Sequence, residues 1–322
     1  MSKQRDLVQE IIEIRSRNKS GPAQGELLLR LMALQRAFEE KDNTNEELLK
    51  YFPIAMVACM EGYFRLIIKE IIDSGEPYLE HASKLVEKGR FNYDVAKAFH
   101  GQKISLGEFV SHMVSTNNLA GIDTNMSTLL DVNYFDEISK VHDRWAHEIH
   151  GEPKKPIIDD MKSLKQRVAK AFELRHVFCH ELANRHPLDS AEIEECFNAT
   201  LTFIKAADEY HYQMLFPNAP LSQRDMNIQA SSDFSLAKNN LEKLNIKISE
   251  ILPSDRYEEY LETHKLWESF RDKDAEFHAN EYKGGSIWPT IYGSTAASMT
   301  EQRGKEVEKY LAILEEFGGD RP

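Results

Sequence analysis

The hexapeptide Arg175-His176-Val177-Phe178-Cys179-His180 places an arginine and two histidines inside an otherwise apolar helical pattern. Upstream, Leu164, Val168 and Ala171 recur at helical spacing, and Arg175 is the next position on that stripe, which predicts a guanidinium aimed at a packed surface. A buried charge needs either a partner or a chemical role. In metal-independent RNA cleavage a histidine moves the proton of a ribose hydroxyl or of the leaving oxygen, and an arginine stabilises charge on the phosphate. The hexapeptide contains both residue types.

The spacing of these residues limits how they work together. On one ideal helix Arg175 and His180 lie about 140° apart, because five residues at about 100° each overshoot one turn. Convergence therefore needs a kink, an arginine that reaches around the helix, or a second copy of the helix across a two-fold axis. A homodimer supplies two arginines and up to four histidines around one cleft.

Two other interpretations of the hexapeptide stay open. His176 and His180 are four residues apart and share a helix face, which is also a spacing for zinc ligands. Glu181 points away from that pair and no partner motif offers further ligands, so we predict neither a metal nor a cofactor. The remaining alternative is structural: a buried acid such as Glu61 neutralises Arg175, and the histidines serve as capping or interface residues.

Helical periodicity dominates the rest of the chain. Apolar residues recur at three- and four-residue spacing and β-branched alternation is scarce, which predicts an all-α fold. Capping boxes, Thr44 with Glu47 and Ser105 with Glu108, mark two predicted helix starts. A helix from Ile157 to about Leu182 is expected to carry the hexapeptide. Breaks are predicted at Ser20-Gly21-Pro22 and at His186-Pro187.

The segment Phe216-Pro217-Asn218-Ala219-Pro220 is the best domain boundary, because two prolines within four residues prevent a helix from continuing. We predict two helical domains, over residues 1–218 and 223–322. The second is expected to contain helices at about 225–251 and 254–282 and a third that ends near residue 316.

Composition restricts the location and the partners. The 322 residues carry a net charge of −13, which argues against indiscriminate binding to nucleic acid, although Lys154 to Arg175 is locally basic. The first ten residues lack an apolar segment and no apolar run approaches the roughly 20 residues that span a bilayer, so we expect a cytoplasmic protein without membrane contact. Three cysteines at unrelated spacings predict reduced thiols that mostly pack.

The segment Glu173 to Glu181 resembles the signature of the HEPN superfamily (higher eukaryotes and prokaryotes nucleotide-binding), written Arg-polar-x-x-x-His. The segments Ile54 to Arg65 and Gly101 to His112 are similar to further blocks of bacterial HEPN proteins. The resemblance implies a helical-bundle domain, commonly a homodimer. Many members cleave RNA without metal, others only bind RNA or nucleotides, and a role in defence or stress response is implied.

The C-terminal part resembles the family of the lysozyme inhibitor LprI. The resemblance rests on Trp267 to Asp272, on the Gly284-Gly285-Ser286 turn and on Thr300 to Arg303, and it spans about residues 223 to 315. Periplasmic members carry paired cysteines, whereas this segment has none, which favours a reducing compartment and argues against lysozyme inhibition. Trp267, Phe270 and Phe277 are predicted to be core residues.

Two functions follow as alternatives. The first is metal-independent cleavage or binding of RNA or a nucleotide by a homodimer, with His180 as general acid or base, Arg175 as the cation that stabilises the transition state, and His176 as a positioning donor. The second is a non-catalytic, dimeric interaction protein whose C-terminal domain recruits a protein partner.

Overall fold

The computed structural model describes residues 7–17, 23–42, 45–86, 93–101, 103–181 and 189–317, and every regular element among them is helical. The prediction of an all-α protein is thereby confirmed. The chain divides into two compact units, Met1–Asn218 and Ala219–Pro322. The predicted breaks at Ser20-Gly21-Pro22 and His186-Pro187 lie outside the described residues.

The N-terminal unit contains helices of 5 to 28 residues. In chain order they are α1 (Leu7–Arg17), α2 (Ala23–Glu39), α3 (Glu46–Asp73), α4 (Tyr78–Leu85), α5 (Tyr93–His100), α6 (Leu106–Met113), α7 (Leu119–Leu130), α8 (Tyr134–Ile138), α9 (Arg144–His150), α10 (Met161–His180) and α11 (Ser190–Leu215).

Helix α3 is the centre of this unit. Its buried side chains recur on both sides of the helix and include Phe52, Met60, Phe64 and Ile68. α2, α6, α10 and α11 pack around it. Among the described helices, α3 has the length and apolar composition that would cross a membrane, but 61% of its most apolar window is buried inside the protein, and a core helix passes the same test.

Helix α6 is fixed to the end of α3 by a cap that both helices share. Ser105 and Glu108 form the predicted capping box, which is confirmed. Asp73 of α3 accepts hydrogen bonds from the Ser105 hydroxyl at 2.7 Å and from the Gly107 amide at 2.9 Å. A Cβ on Gly107 would lie 2.4 Å from the carbonyl oxygen of Lys69, so only glycine permits this approach of the two backbones.

The start of α3 differs from the prediction. The N-cap is Asn45, whose side chain accepts a hydrogen bond from the Leu48 amide at 3.1 Å. The predicted cap, Thr44, lies outside the described residues. Asparagine is as good an N-cap as threonine, and the competition between neighbouring cap residues is decided by the backbone geometry at that position.

The C-terminal unit consists of α12 (Gln223–Ile251), α13 (Ser254–Ala279), a 3₁₀ turn (Asn280–Tyr282) and α14 (Trp288–Phe317). Its buried cluster joins Leu241 and Ile248 of α12 to Val307 and Leu311 of α14. A Cβ on Gly293 would lie 3.0 Å from Ala230, so α12 and α14 approach each other closely at that glycine.

Candidate functional site

Helix α10 carries the hexapeptide, and its start is well defined. Asp160 is the N-cap and accepts hydrogen bonds from the amides of Lys162 and Ser163 at 2.9 and 3.1 Å. The buried stripe continues from Leu164, Val168 and Ala171 to Leu174. The expectation that Arg175 is the next buried position is therefore wrong: the stripe turns to Leu174, and Arg175 lies beside it with 32% of its side chain exposed.

Arg175 faces Glu61 of α3. Its Nη2 lies 3.9 Å from the Glu61 Oε2, which is a long ion pair, and the Glu61 Oε1 is buried without a hydrogen-bond partner among the described residues. The structure thus contains the contact that the structural alternative required. The Arg175 side chain is still 32% exposed, so it can contact a ligand while it faces Glu61.

The two histidines of the hexapeptide lie together at the end of α10. His176 and His180 are both exposed, with ring centroids 5.0 Å apart and an angle of 49° between the ring planes. Cys179 is exposed beside them. Among the described residues, no group of three or more His, Cys, Asp or Glu side chains has the arrangement to hold a metal ion. Within one protomer the two histidines are in contact with each other, whereas Arg175 pairs with Glu61.

Two of the basic residues that precede the hexapeptide, Arg167 and Lys170, are paired with acids. Arg167 forms an ion pair with Glu195 of α11. The Lys170 Nζ lies 3.0 Å from the Glu173 Oε1 and 3.8 Å from the Glu192 Oε1. These carboxylates reduce the positive potential available to a phosphate backbone.

A second polar group in this unit was not predicted from the sequence. His211 of α11 is fully buried, and its Nδ1 lies 2.8 Å from the Tyr63 hydroxyl of α3. The Tyr134 ring stacks on the imidazole at 5.6 Å with 7° between the planes. Burial lowers the pKa of His211 to about 3 and, with the Asp208 carboxylate, raises that of Tyr63 well above its usual range. The contact joins residues 148 positions apart, so no local spacing signals it.

In the C-terminal unit, α13 presents apolar side chains to solvent. Leu266 is 73% exposed, Phe270 59% and Phe277 70%. At about 100° per residue these three positions lie within about 40° of one another, and together they form what we call the α13 apolar face. The prediction that Phe270 and Phe277 are core residues is wrong. Trp267, in contrast, packs against the buried cluster as predicted.

The buried position of Arg271 accounts for the difference between Trp267, which packs on the core of this unit, and Phe270, which is exposed. Its guanidinium is buried between the rings of Trp267 and Phe234, with its Cζ 5.2 and 5.0 Å from their centroids, and it pairs with Asp272 at 2.8 Å. Two rings and the Asp272 carboxylate compensate this buried cation, whose Nη1 lies 3.7 Å from the Glu268 Oε1 without a hydrogen bond among the described residues. Arg271 thereby fixes the Trp267 side of α13 against α12, while Phe270, about 60° from Trp267 around the helix, stays exposed to solvent.

Comparison with known proteins gives one finding about family. Residues 218–307 match the family described as Lysozyme inhibitor LprI, which confirms the predicted resemblance of the C-terminal part. No curated protein and no solved structure matches the chain. The HEPN resemblance of the N-terminal unit, its homodimer and the cytoplasmic location stay predictions.

Proposed function

We propose that this protein is an interaction protein whose C-terminal unit binds a basic protein partner through the α13 apolar face. The observation that carries the proposal is the exposure of Leu266, Phe270 and Phe277 in a unit similar to a family described as lysozyme inhibitors. Inhibition of an enzyme by a protein is exerted through a protein–protein interface, and exposed aromatic side chains in a polar surround are the usual anchors of such interfaces.

Charge around the face favours a basic partner. Residues 219–322 contain 19 acidic and 13 basic residues. The helical positions around the α13 apolar face include four acids, Glu259, Glu262, Asp274 and Glu276. The bases Arg256 and Lys273 lie there too, in ion pairs with Glu259 and Glu276, so the remaining charge of this group is negative. An apolar centre with an acidic rim is complementary to a cationic surface, which increases the association rate and disfavours acidic partners.

The experiment is a calorimetric titration of the full chain with a basic lysozyme, which serves as a probe with a cationic surface and not as the expected natural partner. We expect saturable binding that the Phe277→Ser variant weakens about tenfold or more, because loss of an aromatic anchor costs about 2 kcal/mol. The matched control is Leu236→Ser, which removes another exposed apolar side chain, 60% against 70% for Phe277, from α12 and should bind like wild type. Succinylation of the lysozyme lysines reverses their charge and should abolish binding.

The outcomes separate the parts of the proposal. Equal affinity of wild type and Phe277→Ser contradicts the α13 apolar face as the binding surface. Undiminished binding of the succinylated lysozyme contradicts the role of charge. No binding by the unmodified lysozyme contradicts this partner class for the C-terminal unit.

A second candidate function, metal-independent cleavage or binding of RNA by a homodimer, is favoured by the end of α10. Arg175 is accessible there, and His176 and His180 form an exposed pair. Because Arg175 and His180 diverge on one helix, the proposal requires a second copy of α10, so that the arginine of one protomer acts with the histidines of its partner. His180 would then transfer the proton, and Arg175 would stabilise the phosphate.

RNA cleavage is tested with a mixed RNA pool in EDTA. We expect Arg175→Ala and His180→Ala to lose at least about a hundredfold in rate, the usual contribution of general acid–base catalysis. His150→Ala, which removes an exposed histidine from α9, is the matched control and should cleave like wild type. Equal cleavage by all variants identifies a contaminating nuclease, and no cleavage by wild type contradicts the catalytic form of this candidate.

A further inference from the structure

The last turn of α10 presents two imidazoles to solvent on one face of the helix. His176 and His180 are four residues apart, so their side chains are neighbours along that face. Both residues are exposed. The contact that the structure gives these rings is with each other, and neither ring hydrogen-bonds to another group in the described part of the chain. Their nitrogen lone pairs are therefore available to a ligand.

The distance between the two rings suits the coordination of one metal ion. An imidazole nitrogen binds Zn²⁺ at about 2.0–2.1 Å and lies about 1.1 Å from the ring centre, so a bound ion is about 3.2 Å from each centroid. Centroids 5.0 Å apart then subtend an angle of about 100° at the ion. This angle lies between the right angle of square-planar sites and the tetrahedral angle of about 109°. Because both side chains are exposed, their torsions can direct one nitrogen of each ring at the ion.

The electrostatics at this end of α10 favour a cation. His180 is the last residue of the helix, where the unpaired carbonyl groups place a partial negative charge. The neighbouring cation, Arg175, lies about 100° from His176 around the helix and faces Glu61. The positive charge nearest in the sequence is thus directed away from the two imidazoles.

From this arrangement we propose that His176 and His180 chelate a divalent transition-metal ion of the Ni²⁺, Cu²⁺ and Zn²⁺ class, with water in the remaining coordination positions. Imidazole nitrogen suits these ions, whereas Mg²⁺ and Ca²⁺ prefer oxygen ligands. The proposal departs from the expectation of no metal drawn from the sequence, because the sequence shows the spacing of the histidines but not the distance between their rings.

This site goes beyond both functions proposed above, since metal binding is measured without RNA and without a protein partner. It also has a consequence for the second of them. A bound ion takes up the lone pair that proton transfer by His180 would use, so metal binding and RNA cleavage exclude each other at this residue.

The test is a calorimetric titration of the untagged full chain with NiCl₂, and with MgCl₂ as the comparison. We expect saturable binding of Ni²⁺ below about 1 mM and none of Mg²⁺. His176→Ala and His180→Ala should each weaken Ni²⁺ binding about tenfold or more, because either change replaces a chelate by a single ligand. His150→Ala, which removes an exposed histidine from α9, is the matched control and should bind like wild type. Circular dichroism shows that the variants are folded.

Two further variants test the identity and the spacing of the ligands. Cys179→Ser should retain the affinity, because no three His, Cys, Asp or Glu side chains among the described residues are arranged to hold an ion, so the thiol is not a third ligand. Adding Glu173→His to His176→Ala restores two exposed histidines on one face, but they are seven residues and about 10 Å apart along the helix and should not restore binding.

Three results would each overturn the proposal. They are the absence of saturable Ni²⁺ binding to wild type, wild-type affinity in His176→Ala or His180→Ala, and loss of binding in Cys179→Ser. Recovery of wild-type affinity in the Glu173→His, His176→Ala double variant would equally contradict an ion held between two adjacent turns.

Discussion

At the scale of single residues, the burial of His211 makes the stability of the folded protein depend on pH. The imidazole is enclosed by Tyr63, Tyr134 and Tyr210, with Asp208 one turn away on the same helix. Taking a charged ring out of water is costly, and burial is the cause that lowers the pKa of His211 from 6.5 to about 3.

This depressed pKa predicts a loss of stability in acid. An unfolded histidine binds its proton near pH 6.5 and the folded one only near pH 3, so the unfolded state binds more protons throughout that interval. The free energy of unfolding should therefore fall as the pH falls from 6.5 towards 3, with a slope from this residue of at most about 1.4 kcal/mol per pH unit.

Urea denaturation at several pH values measures this slope. His211→Gln retains a polar group that reaches Tyr63 but does not titrate, so its stability should fall less steeply than that of wild type below pH 6.5. His150→Gln removes an exposed histidine and should leave the wild-type slope intact. Identical slopes in wild type and His211→Gln would mean that the imidazole is not buried in its neutral form.

At the scale of helices, the attachment of α6 to α3 depends on Gly107. Alanine normally favours a helix over glycine by about 1 kcal/mol. Here its Cβ would lie 2.4 Å from the Lys69 carbonyl and 2.7 Å from the Asp73 carboxylate, both part of the helix that α6 packs on. Overpacking against a backbone atom should outweigh the gain in propensity, because the carbonyl moves only if α3 moves.

We predict that Gly107→Ala lowers the free energy of unfolding by about 1–3 kcal/mol. The control is Gly62→Ala in the interior of α3, where a Cβ would meet nothing within 4 Å and should stabilise the protein by up to about 1 kcal/mol. Urea denaturation of both variants gives the comparison. A neutral or stabilising effect of Gly107→Ala would show that α6 does not approach α3 this closely.

The helices also show which features the sequence periodicity predicts and which features depend on packing between helices. The all-α class and the capping box at Ser105 and Glu108 depend on contacts within a few residues, which a sequence displays directly. The exposure of Phe270, predicted to be a core residue, was not predictable, because it is the guanidinium of Arg271 that is buried against Phe234 and Trp267. Likewise, the contact of Arg175 with Glu61 was only one of several alternatives until the packing of α10 on α3 was known.

At the scale of the whole molecule, the proposed RNA site at the end of α10 depends on a homodimer with two-fold symmetry. On an ideal helix Arg175 and His180 lie about 140° apart, so the proposed shared site places the ends of two α10 helices at a two-fold axis. Cys179 sits between them in the sequence and is exposed, whereas Cys196 is buried and Cys59 is half-buried.

Because the three cysteines differ in burial, cross-linking can test for this dimer without a substrate. Burial raises the pKa of Cys59 and of Cys196 to about 11, so almost none of either thiol is ionised near neutral pH, and only the thiolate reacts with a maleimide. We predict that a short bis-maleimide at pH 7 joins two chains through Cys179 and yields a product of about twice 37.1 kDa.

Cys179→Ser should abolish this product, while Cys59→Ser should not change it. Light scattering of the untreated protein reports the oligomeric state independently. A dimer in solution that fails to cross-link would place the interface on another surface and leave each Arg175 with its own Glu61. A monomeric mass would contradict the shared site, because that site needs the arginine of one chain and the last histidine of another.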